Sequence, residues 1–315
     1  MAFGIIGLGK MGLQLALNAQ SHDLAPLVFD ITPAACEAAR AQGLPVASSV
    51  EDLVRRLPAP RVLWLMVPAG DAVDRLIAAL VPLLSENDRI VDGGNSRWQD
   101  SVRRARELAE KGIAFADAGT SGGVSGARNG ICAMVGATPE TFCALEPLLR
   151  PLCVEGGLLH AGPPGCGHYV KMVHNGIEYG MMQAIGEGFE LMRKSGLPLD
   201  LAAVADVWSH GSVIRGWLME LTASLLDADP ALEQLEGIVH SSGEGLWTLE
   251  EALRLKVSVP VIAQSLFVRY QSENGEAFSN KVVAGLRNQF GGHAVERSSG
   301  PHSGDRQGGG HGSTP

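Results

Sequence analysis

The sequence has few of the features that mark secreted, membrane or nucleic-acid-binding proteins. Its five cysteines among 315 residues are odd in number, widely spread and without CxxC or His-spaced pairs, which argues against a disulfide framework or a zinc site. No apolar run approaches the roughly 18 residues that a membrane-spanning helix needs. The first residues, MAFGIIGLGK, have no basic segment before the apolar run. We therefore expect a cytoplasmic protein with no membrane partner.

An excess of basic residues is also missing. The formal net charge of -9 argues against a nucleic-acid partner, because phosphate backbones are bound by basic surfaces. What is present is an ordinary globular composition, 45% hydrophobic and 19% charged. A chain of 315 residues exceeds the comfortable size of one core, so two domains are expected.

A glycine-rich turn lies near the start of the chain, between a short apolar run and a helical pattern. It consists of Gly7, Leu8, Gly9, Lys10, Met11 and Gly12. In a GxGxxG turn the first glycine permits the tight turn, the second lets a pyrophosphate approach the backbone, and the third lets the helix pack closely on the strand. The turn in this context predicts a dinucleotide site.

Asp30 ends a second apolar run, PLVF, 18 residues after Gly12, near the separation at which a ribose-binding acid is expected. A carboxylate there accepts a hydrogen bond from a ribose 2'-hydroxyl and repels a 2'-phosphate. The residues that follow, Ile31, Thr32 and Pro33, offer no arginine to bind that phosphate. The sequence therefore favours NAD over NADP.

Apolar runs of strand length then alternate with amphipathic helical patterns up to about residue 150. This alternation predicts a mostly parallel, doubly wound sheet of the Rossmann type, which binds ligands at the carboxyl ends of its strands. Loops are expected there at residues 67–69, 93–96 and 120–123. The last two suit a polyhydroxylated or carboxylate ligand, although ordinary turn chemistry explains the same residues.

The most informative stretch is GHYVKMVHNGIEYGMM, residues 167–182. At about 3.6 residues per turn, a polar stripe falls on one face of a helix: Lys171, His174, Asn175 and Glu178. Apolar surface is expected around it from Val170, Met172, Val173, Ile177 and Met181. A half-buried lysine and glutamate can have pKa values moved towards neutrality and act as a proton-transfer pair. The plainer alternative is an exposed pair on a solvated helix.

The rest of the chain predicts an all-helical C-terminal domain. The segment HAGPPGCG at 160–167 marks a boundary, and one long helix is expected from residue 167 to about 195. Shorter helical patterns separated by Gly, Pro and Ser follow. We expect a dinucleotide-binding domain at 1–163, a helical substrate and dimerisation domain at 164–294, and a disordered tail at 295–315.

Four segments together resemble the signatures of the 6-phosphogluconate dehydrogenase family, specifically its short bacterial form within the β-hydroxyacid dehydrogenase superfamily. They are GLGKMG (7–12), VDGGNS (91–96), SGGVSGARNG (121–130) and KMVHNGIEYGMMQ (171–183). The last is the most specific, because the wider superfamily typically lacks the glutamate. The resemblance covers nearly all of residues 1–294 and implies oxidative decarboxylation of 6-phospho-D-gluconate to D-ribulose 5-phosphate with NAD(P) and without a metal.

The resemblance also implies roles for individual residues. Lys171 matches the base that takes the substrate's 3-hydroxyl proton and then polarises the ketone, and Glu178 matches the acid that protonates C1 of the enediol. Val67 and Asn95 are expected to contact the cofactor. The implied substrate-binding residues are Asn95, Ser121, Gly122, Gly123, His174, Asn175, Tyr179, Arg269, Arg287 and His293. Because Arg287 and His293 match residues that enter a neighbouring subunit's site, a homodimer or homotetramer is implied.

One position departs from the family pattern. In GEGLWT, residues 243–248, the family has a basic residue before the tryptophan to hold the substrate phosphate, whereas this chain has Leu246. Loss of a charge-assisted contact removes about 1.5–3 kcal/mol of binding, unless Arg269 and Arg287 compensate. Two alternatives therefore stay open: a non-decarboxylating 3-hydroxyacid dehydrogenase or imine reductase acting on an unphosphorylated compound, and a non-catalytic NAD-binding sensor.

Overall fold

The computed structural model describes residues 1–273, 278–291 and 294. Seven strands form one sheet: β1 (Ala2–Ile6), β2 (Ala25–Phe29), β3 (Val62–Leu65), β4 (Arg89–Asp92), β5 (Ala114–Ser121), β6 (Ile131–Gly136) and β7 (Cys153–Gly162). They lie in the order β2-β1-β3-β4-β5-β6-β7. Neighbouring strands are parallel except β5 and β6, which are antiparallel. The predicted mostly parallel sheet is confirmed.

Both faces of the sheet are buried, which is why its strands read as continuous apolar runs. Successive side chains of a strand point to opposite faces. Phe3, Ile5 and Trp64 belong to one cluster of buried side chains, whereas Ile6 and Leu63 belong to the cluster on the other face. The core of the first half of the chain therefore has two layers, one on each side of the sheet.

Helices cover the sheet and then take over the chain. The first seven are α1 (Lys10–Ser21), α2 (Pro33–Ala41), α3 (Val50–Arg56), α4 (Asp71–Leu80), α5 (Trp98–Ala109), α6 (Gly123–Asn129) and α7 (Pro139–Leu152). They are followed by α8 (Cys166–Lys194), α9 (Leu201–Ser209), α10 (Trp217–Ala228), α11 (Glu244–Leu255), α12 (Pro260–Glu273) and α13 (Phe278–Gly291). The predicted class, a Rossmann-type α/β half followed by an all-helical half, is confirmed. In the part of the chain that the structure describes, no helix is long and apolar enough to span a bilayer.

The chain divides into two compact units. The larger comprises residues 1–236 and 241–268, and the smaller comprises residues 237–240 and the described residues from 269 onward. Within the smaller unit, His240 lies 2.8 Å from the Glu273 carboxylate and its carbonyl accepts a hydrogen bond from Arg269. The domain boundaries expected at residues 163 and 294 stay predictions. The tail at 295–315 lies outside the described residues.

The loop expected at residues 120–123 is wrong. The strand β5 continues through Ser121 and α6 begins at Gly123, so Gly122 alone connects them. Pairing explains the difference, because the second half of β5 is hydrogen-bonded to β6, with Ser121 opposite Cys132. These ladder bonds outweigh the turn preference of the sequence.

The apolar flank expected on α8 is only partly buried. Ile177 and Met181 are 52% and 51% exposed, whereas Lys171 is 6% exposed. The helix therefore turns its polar stripe inwards and leaves part of its apolar surface outside. The strand β7 lies beyond residue 150, where the predicted alternation of strands and helices ends.

The first half of α8 lies directly on β5. A Cβ atom added at Gly119 would be 2.4 Å from the Cβ of Lys171, and one added at Gly167 would be 2.4 Å from the carbonyl oxygen of Asp117. Such distances leave no room for a methyl group on either element. The absence of side chains at these two glycines sets the separation between helix and strand.

We expect Gly119→Ala to lower the free energy of unfolding by about 1–3 kcal/mol, because the added methyl group forces α8 away from the sheet. Urea denaturation of both proteins would measure the change. The matched control is Gly188→Ala, a substitution within α8 itself. Apart from the backbone of the helix, no described atom lies within 4 Å of the added carbon, and alanine favours the helix. Equal stability of the Gly119 variant and the wild type would contradict the close packing.

Candidate active site

The glycine-rich turn forms an open cradle at the start of α1. Among the described residues, no side chain caps this helix N-terminus and its first turn contains no acidic residue. A Cβ atom at Gly12 would be 2.0 Å from the carbonyl oxygen of Gly7, whereas at Gly9 no described atom lies within 4 Å. The helix thus packs tightly on the turn at Gly12 and leaves open space at Gly9, its N-cap residue. This geometry fits a pyrophosphate.

The turns after three parallel strands contact one another at one edge of the sheet. A Cβ atom at Gly7, after β1, would be 2.4 Å from the carbonyl oxygen of Met66, after β3. One at Gly94, after β4, would be 2.5 Å from the carbonyl oxygen of Val67. The strands β2 and β3 lie on opposite sides of β1, so the order of the strands reverses at β1. This edge is therefore the switch point at which doubly wound sheets bind ligands.

Asp30 lies against the glycine-rich turn. Its Oδ2 accepts a hydrogen bond from the backbone N–H of Leu8 at 2.6 Å, and its Oδ1 accepts one from Thr32 at 2.7 Å. The carboxylate therefore holds the turn in shape. The lone pairs of its oxygens that these two hydrogen bonds do not use remain next to the turn. The next side chain, Ile31, is 90% exposed. Where a 2'-phosphate would need a cation, this position presents an apolar group.

Asn95 lies in a loop that a buried carboxylate holds in place. Asp92 accepts hydrogen bonds from the Ser96 hydroxyl at 2.7 Å and the Gly94 N–H at 3.1 Å, and its charge is paired with the buried guanidinium of Arg104. Asn95 itself has a positive φ of 54°. Its Oδ1 is buried and has no hydrogen-bond partner within the described part of the chain. A buried acceptor of this kind is suited to a donor from a ligand.

Lys171 is the buried cation of the site. Its side chain lies between α8 and β5, against Gly119. Burial lowers the pKa of Lys171, and the nearby carboxylates of Glu178 and Glu244 offset part of that shift. A lysine in this environment gives up its proton at a lower pH than an ordinary lysine and can act as a base.

The polar stripe of α8 meets the end of β5. The Ser121 hydroxyl lies 3.1 Å from Nε2 of His174, and Nδ1 of His174 lies 3.0 Å from Oδ1 of Asn175. Nδ1 is also 3.7 Å from the Glu178 carboxylate. Gly122 and Gly123 follow Ser121 directly. The structure thus brings together six predicted site positions in one polar cluster beside Lys171.

Tyr179 is hydrogen-bonded to a residue just before α11. This residue and its own hydrogen-bond partner were not identified from the sequence. The Tyr179 hydroxyl lies 3.1 Å from the Ser242 hydroxyl and accepts a hydrogen bond from the Ser242 N–H at 3.3 Å. The Ser242 hydroxyl donates in turn to Glu244. Both missed residues lie in the segment SSGEGLWT, which was considered only for Leu246. Leu246 is 38% exposed in the first turn of the same helix.

Three predicted substrate residues belong to the smaller unit or lie outside the described residues. Arg269 belongs to the smaller unit, where its guanidinium donates to the His240 carbonyl at 3.3 Å. Arg287 is exposed on α13, and His293 lies outside the described residues. Within residues 1–273 and 278–291, no group of three or more His, Cys, Asp and Glu side chains is arranged to hold a metal ion.

A glycine-rich turn at the switch point of a doubly wound sheet, in a chain whose long helix carries a buried lysine, is typical of a dinucleotide-binding oxidoreductase fold. Two family models match the chain. The NAD-binding domain of 6-phosphogluconate dehydrogenase matches residues 2–155, and the C-terminal domain of the same enzyme matches residues 167–284. The chain belongs to the 6-phosphogluconate dehydrogenase family.

Individual relatives agree with this assignment. The chain is 48% identical over 297 residues to YqeC of Bacillus subtilis, whose own naming as a 6-phosphogluconate dehydrogenase is provisional; the match covers 94% of this chain and all of that one. It is 43% identical over 299 residues to the NAD(+)-dependent, decarboxylating 6-phosphogluconate dehydrogenase of Haloferax volcanii, covering 94% and 99% of the two chains.

Solved structures show the same relationship. The Plasmodium falciparum 6-phosphogluconate dehydrogenase, studied with NADP+ and with 6-phosphogluconate, matches with a TM-score of 0.80 and 29% identity over 96% of this chain and 67% of that one. The Mycobacterium tuberculosis 3-hydroxyisobutyrate dehydrogenase matches with a TM-score of 0.71 and 22% identity, over 91% of this chain and 99% of that one. The second likeness concerns the fold alone.

We expect Lys171 to become acetylated with a pH midpoint below the value of about 10.4 that an ordinary lysine shows, because burial disfavours its charged form. Competitive acetylation at a series of pH values, quantified for the Lys171 peptide by mass spectrometry, would measure the midpoint. The exposed Lys194 on the same helix serves as the internal control for reagent chemistry. A Lys171 midpoint at or above the ordinary value would contradict the lowered pKa.

Proposed function

We propose that this chain catalyses the NAD-dependent oxidative decarboxylation of 6-phosphogluconate to ribulose 5-phosphate and CO2. The observation that carries the proposal is Lys171, buried on α8 beside the polar cluster of Ser121, His174 and Asn175, with Glu178 two turns further along the helix. The family assignment and the decarboxylating Haloferax relative support the same reaction.

The cradle at the start of α1 would hold the pyrophosphate of NAD, with Asp30 on the adenosine ribose and Val67 and Asn95 towards the nicotinamide. NAD supplies a hydride acceptor when it is bound. The substrate would then lie between the nicotinamide and α8, where Ser121, His174 and Asn175 offer hydroxyl, imidazole and amide groups to its carboxylate and hydroxyls.

Lys171 would act first as a base. In its neutral form it accepts the proton of the C3 hydroxyl as the C–H electron pair leaves C3 as hydride, so that a β-keto acid results. The ammonium that this step creates then donates a hydrogen bond to the ketone oxygen. It stabilises the oxyanion that develops when the C1–C2 bond breaks and CO2 departs. One lysine thereby serves both steps.

Glu178 would complete the reaction as an acid. Loss of CO2 leaves an enediol, whose carbon must receive a proton before the ketose can form. The Glu178 carboxyl lies on the same helix face as Lys171 and is only partly buried, so it can exchange protons with water between turnovers. His174, at 3.7 Å, would hold the side chain in place.

Lys171→Met should lower turnover of 6-phosphogluconate by more than about a hundredfold, because the base is removed, while NAD affinity stays nearly unchanged. Initial-rate NADH formation and NAD titration would measure both quantities. Lys194→Met is the matched control, since it removes an exposed lysine from the same helix, and it should retain wild-type turnover. Substantial activity in the Lys171 variant would refute the assignment.

The preference for NAD is proposed from Asp30 and Ile31. Asp30→Asn combined with Ile31→Arg should raise the ratio of NADP to NAD use, expressed as kcat/KM, by about ten- to a hundredfold. The change removes a negative charge and adds a guanidinium that can bind a 2'-phosphate. Ile31→Arg alone separates the two contributions. An unchanged ratio in the double variant would show that Asp30 and Ile31 do not select the cofactor.

A second candidate function is the oxidation of a related hydroxyacid that carries no phosphate. Leu246 favours it, because the exposed first turn of α11 presents an apolar side chain and the carboxylate of Glu244 where the family has a cation. A phosphate near these groups would gain no charge-assisted bond from them. Arg269 or Arg287 would have to supply the cation instead.

Leu246→Lys should lower the KM for 6-phosphogluconate by about tenfold, in line with one added charge-assisted contact, and leave the KM for gluconate unchanged. Initial rates with both acids would measure this. Leu253→Lys, at a more exposed position of the same helix, controls for added charge. Equal effects of the two substitutions would place the substrate phosphate away from Leu246.

We further propose a homodimer or homotetramer, with Arg287 and His293 reaching a neighbouring subunit's site. An apolar groove of about 900 Å³ supports association. It lies along the second half of α8 and is lined by Met182, Ile185, Phe189, Leu218, Leu221 and Leu225. Exposed apolar patches rimmed by polar residues commonly mark an interface. We also propose the cytoplasmic location that was expected from the sequence.

A further inference from the structure

A fully buried carboxylate caps the helix that carries Lys171. Asp117, on β5, is 0% exposed. Its Oδ1 accepts a hydrogen bond from the N–H of Gly165 at 2.5 Å, and its Oδ2 accepts one from the N–H of His168 at 2.7 Å. Gly165 is the N-cap residue of α8 and His168 lies in its first turn. The cap is therefore supplied by the sheet rather than by the helix's own sequence.

The helix needs this external cap. Its N-cap glycine has no side chain, and the first turn contains no acidic residue. The first N–H groups of a helix lack partners within the helix, and an anion at this end interacts favourably with the helix dipole. Asp117 meets both requirements at once and ties the start of α8 to one residue of β5.

Asp117 also fixes where along the strand the helix begins. A Cβ atom at Gly136, on the paired strand β6, would be 2.4 Å from Oδ1 of Asp117, so the carboxylate is held on that side as well. Gly119 follows two residues later on the same face of β5, and it is against Gly119 that Lys171 packs. Lys171 lies one turn beyond His168. Two residues of one strand therefore set both the start of the helix and the position of its lysine.

The titratable groups around Asp117 come from two elements. On α8 they are His168 and Cys166, and on β4 the paired residue is Asp92. His168 is itself held by the Ser101 hydroxyl of α5 at 2.8 Å. Burial raises the pKa of Asp117, and the charge of His168 and the two backbone N–H groups oppose the shift. Burying a carboxylate costs folding energy, and the two backbone hydrogen bonds offset that cost.

We propose that Asp117 is a positioning residue for the reaction: its carboxylate anchors the first turn of α8 and thereby holds Lys171 in its buried place against β5. The proposal rests on the proposed function in that Lys171 is taken as the base. Without the anchor the first turn frays, and water reaches the lysine. Lys171 then loses the burial that lowers its pKa, and its amine moves away from the substrate.

The test is Asp117→Asn, which keeps the size of the side chain but turns an NH2 group towards one of the two backbone donors. The turnover number with 6-phosphogluconate should fall between about tenfold and a hundredfold, with NAD affinity within about twofold of wild type. The acetylation midpoint of Lys171 should rise towards the ordinary lysine value. The acid limb of the turnover profile should move in the same direction, because Lys171 must be neutral to act as the base. Glu178, Glu244 and Cys132, which face Lys171 from α8, α11 and β6, are unchanged in this variant.

Asp88→Asn is the matched control. Asp88 is also fully buried, accepts backbone N–H bonds from Arg61 and Ser85 at 2.6 and 2.9 Å, and precedes β4 at the opposite edge of the sheet. Its substitution should lower stability without moving the Lys171 midpoint. An equal shift in both variants would mean that the midpoint reports general loosening, and the proposal would be wrong.

The outcomes separate this proposal from the proposed function. If the wild type does not turn over 6-phosphogluconate, the function fails, while the Lys171 midpoints of wild type and variant still decide the role of Asp117. A folded Asp117→Asn protein with unchanged midpoint and turnover would overturn the positioning role. Should that variant not fold, Asp117→Ser provides a smaller side chain with one acceptor. If neither variant binds NAD, Asp117 is required for folding and the proposal is rejected.

Discussion

The direct contact between α8 and β5 is the constraint on which the site depends. Two glycines remove the side chains that would separate helix and strand, and Asp117 binds the helix start to the strand. Lys171 is thereby carried into a place from which water is largely excluded. Burial disfavours its charged form, so a residue that is ordinarily a permanent cation becomes available as a base. The chemistry proposed for the lysine therefore depends on backbone packing.

Two buried carboxylates on neighbouring strands organise the two halves of the site. Asp92 and Asp117 are register partners in β4 and β5. The first holds the loop of Asn95 and is neutralised by Arg104, whereas the second holds the start of α8 through backbone N–H groups. Buried charges are costly unless they are paired or hydrogen-bonded. Both are kept at the carboxyl edge of the sheet, where the cofactor and substrate are proposed to meet.

The sequence predicted those parts of the site that depend on local spacing. The glycine-rich turn, Asp30 and the polar stripe of α8 are set by intervals of a few residues, and the structure places them as expected. Ser242 was missed because it reaches Tyr179 across more than 60 residues of chain, and Glu244 was missed because it acts through Ser242. From the sequence, Asp117 is an ordinary strand residue, because its contact with the start of α8 forms only in the folded chain. The loop at 120–123 was wrong because tertiary pairing extended β5.

We propose that this geometry couples hydride transfer to the loss of CO2. The most direct measurement follows NADH and CO2 in parallel, with 6-phosphogluconate and gluconate supplied separately to the wild-type protein and NAD. We expect equal amounts of NADH and CO2 from 6-phosphogluconate, at a rate that gluconate does not match. NADH formed without CO2, or turnover of gluconate alone, would contradict it.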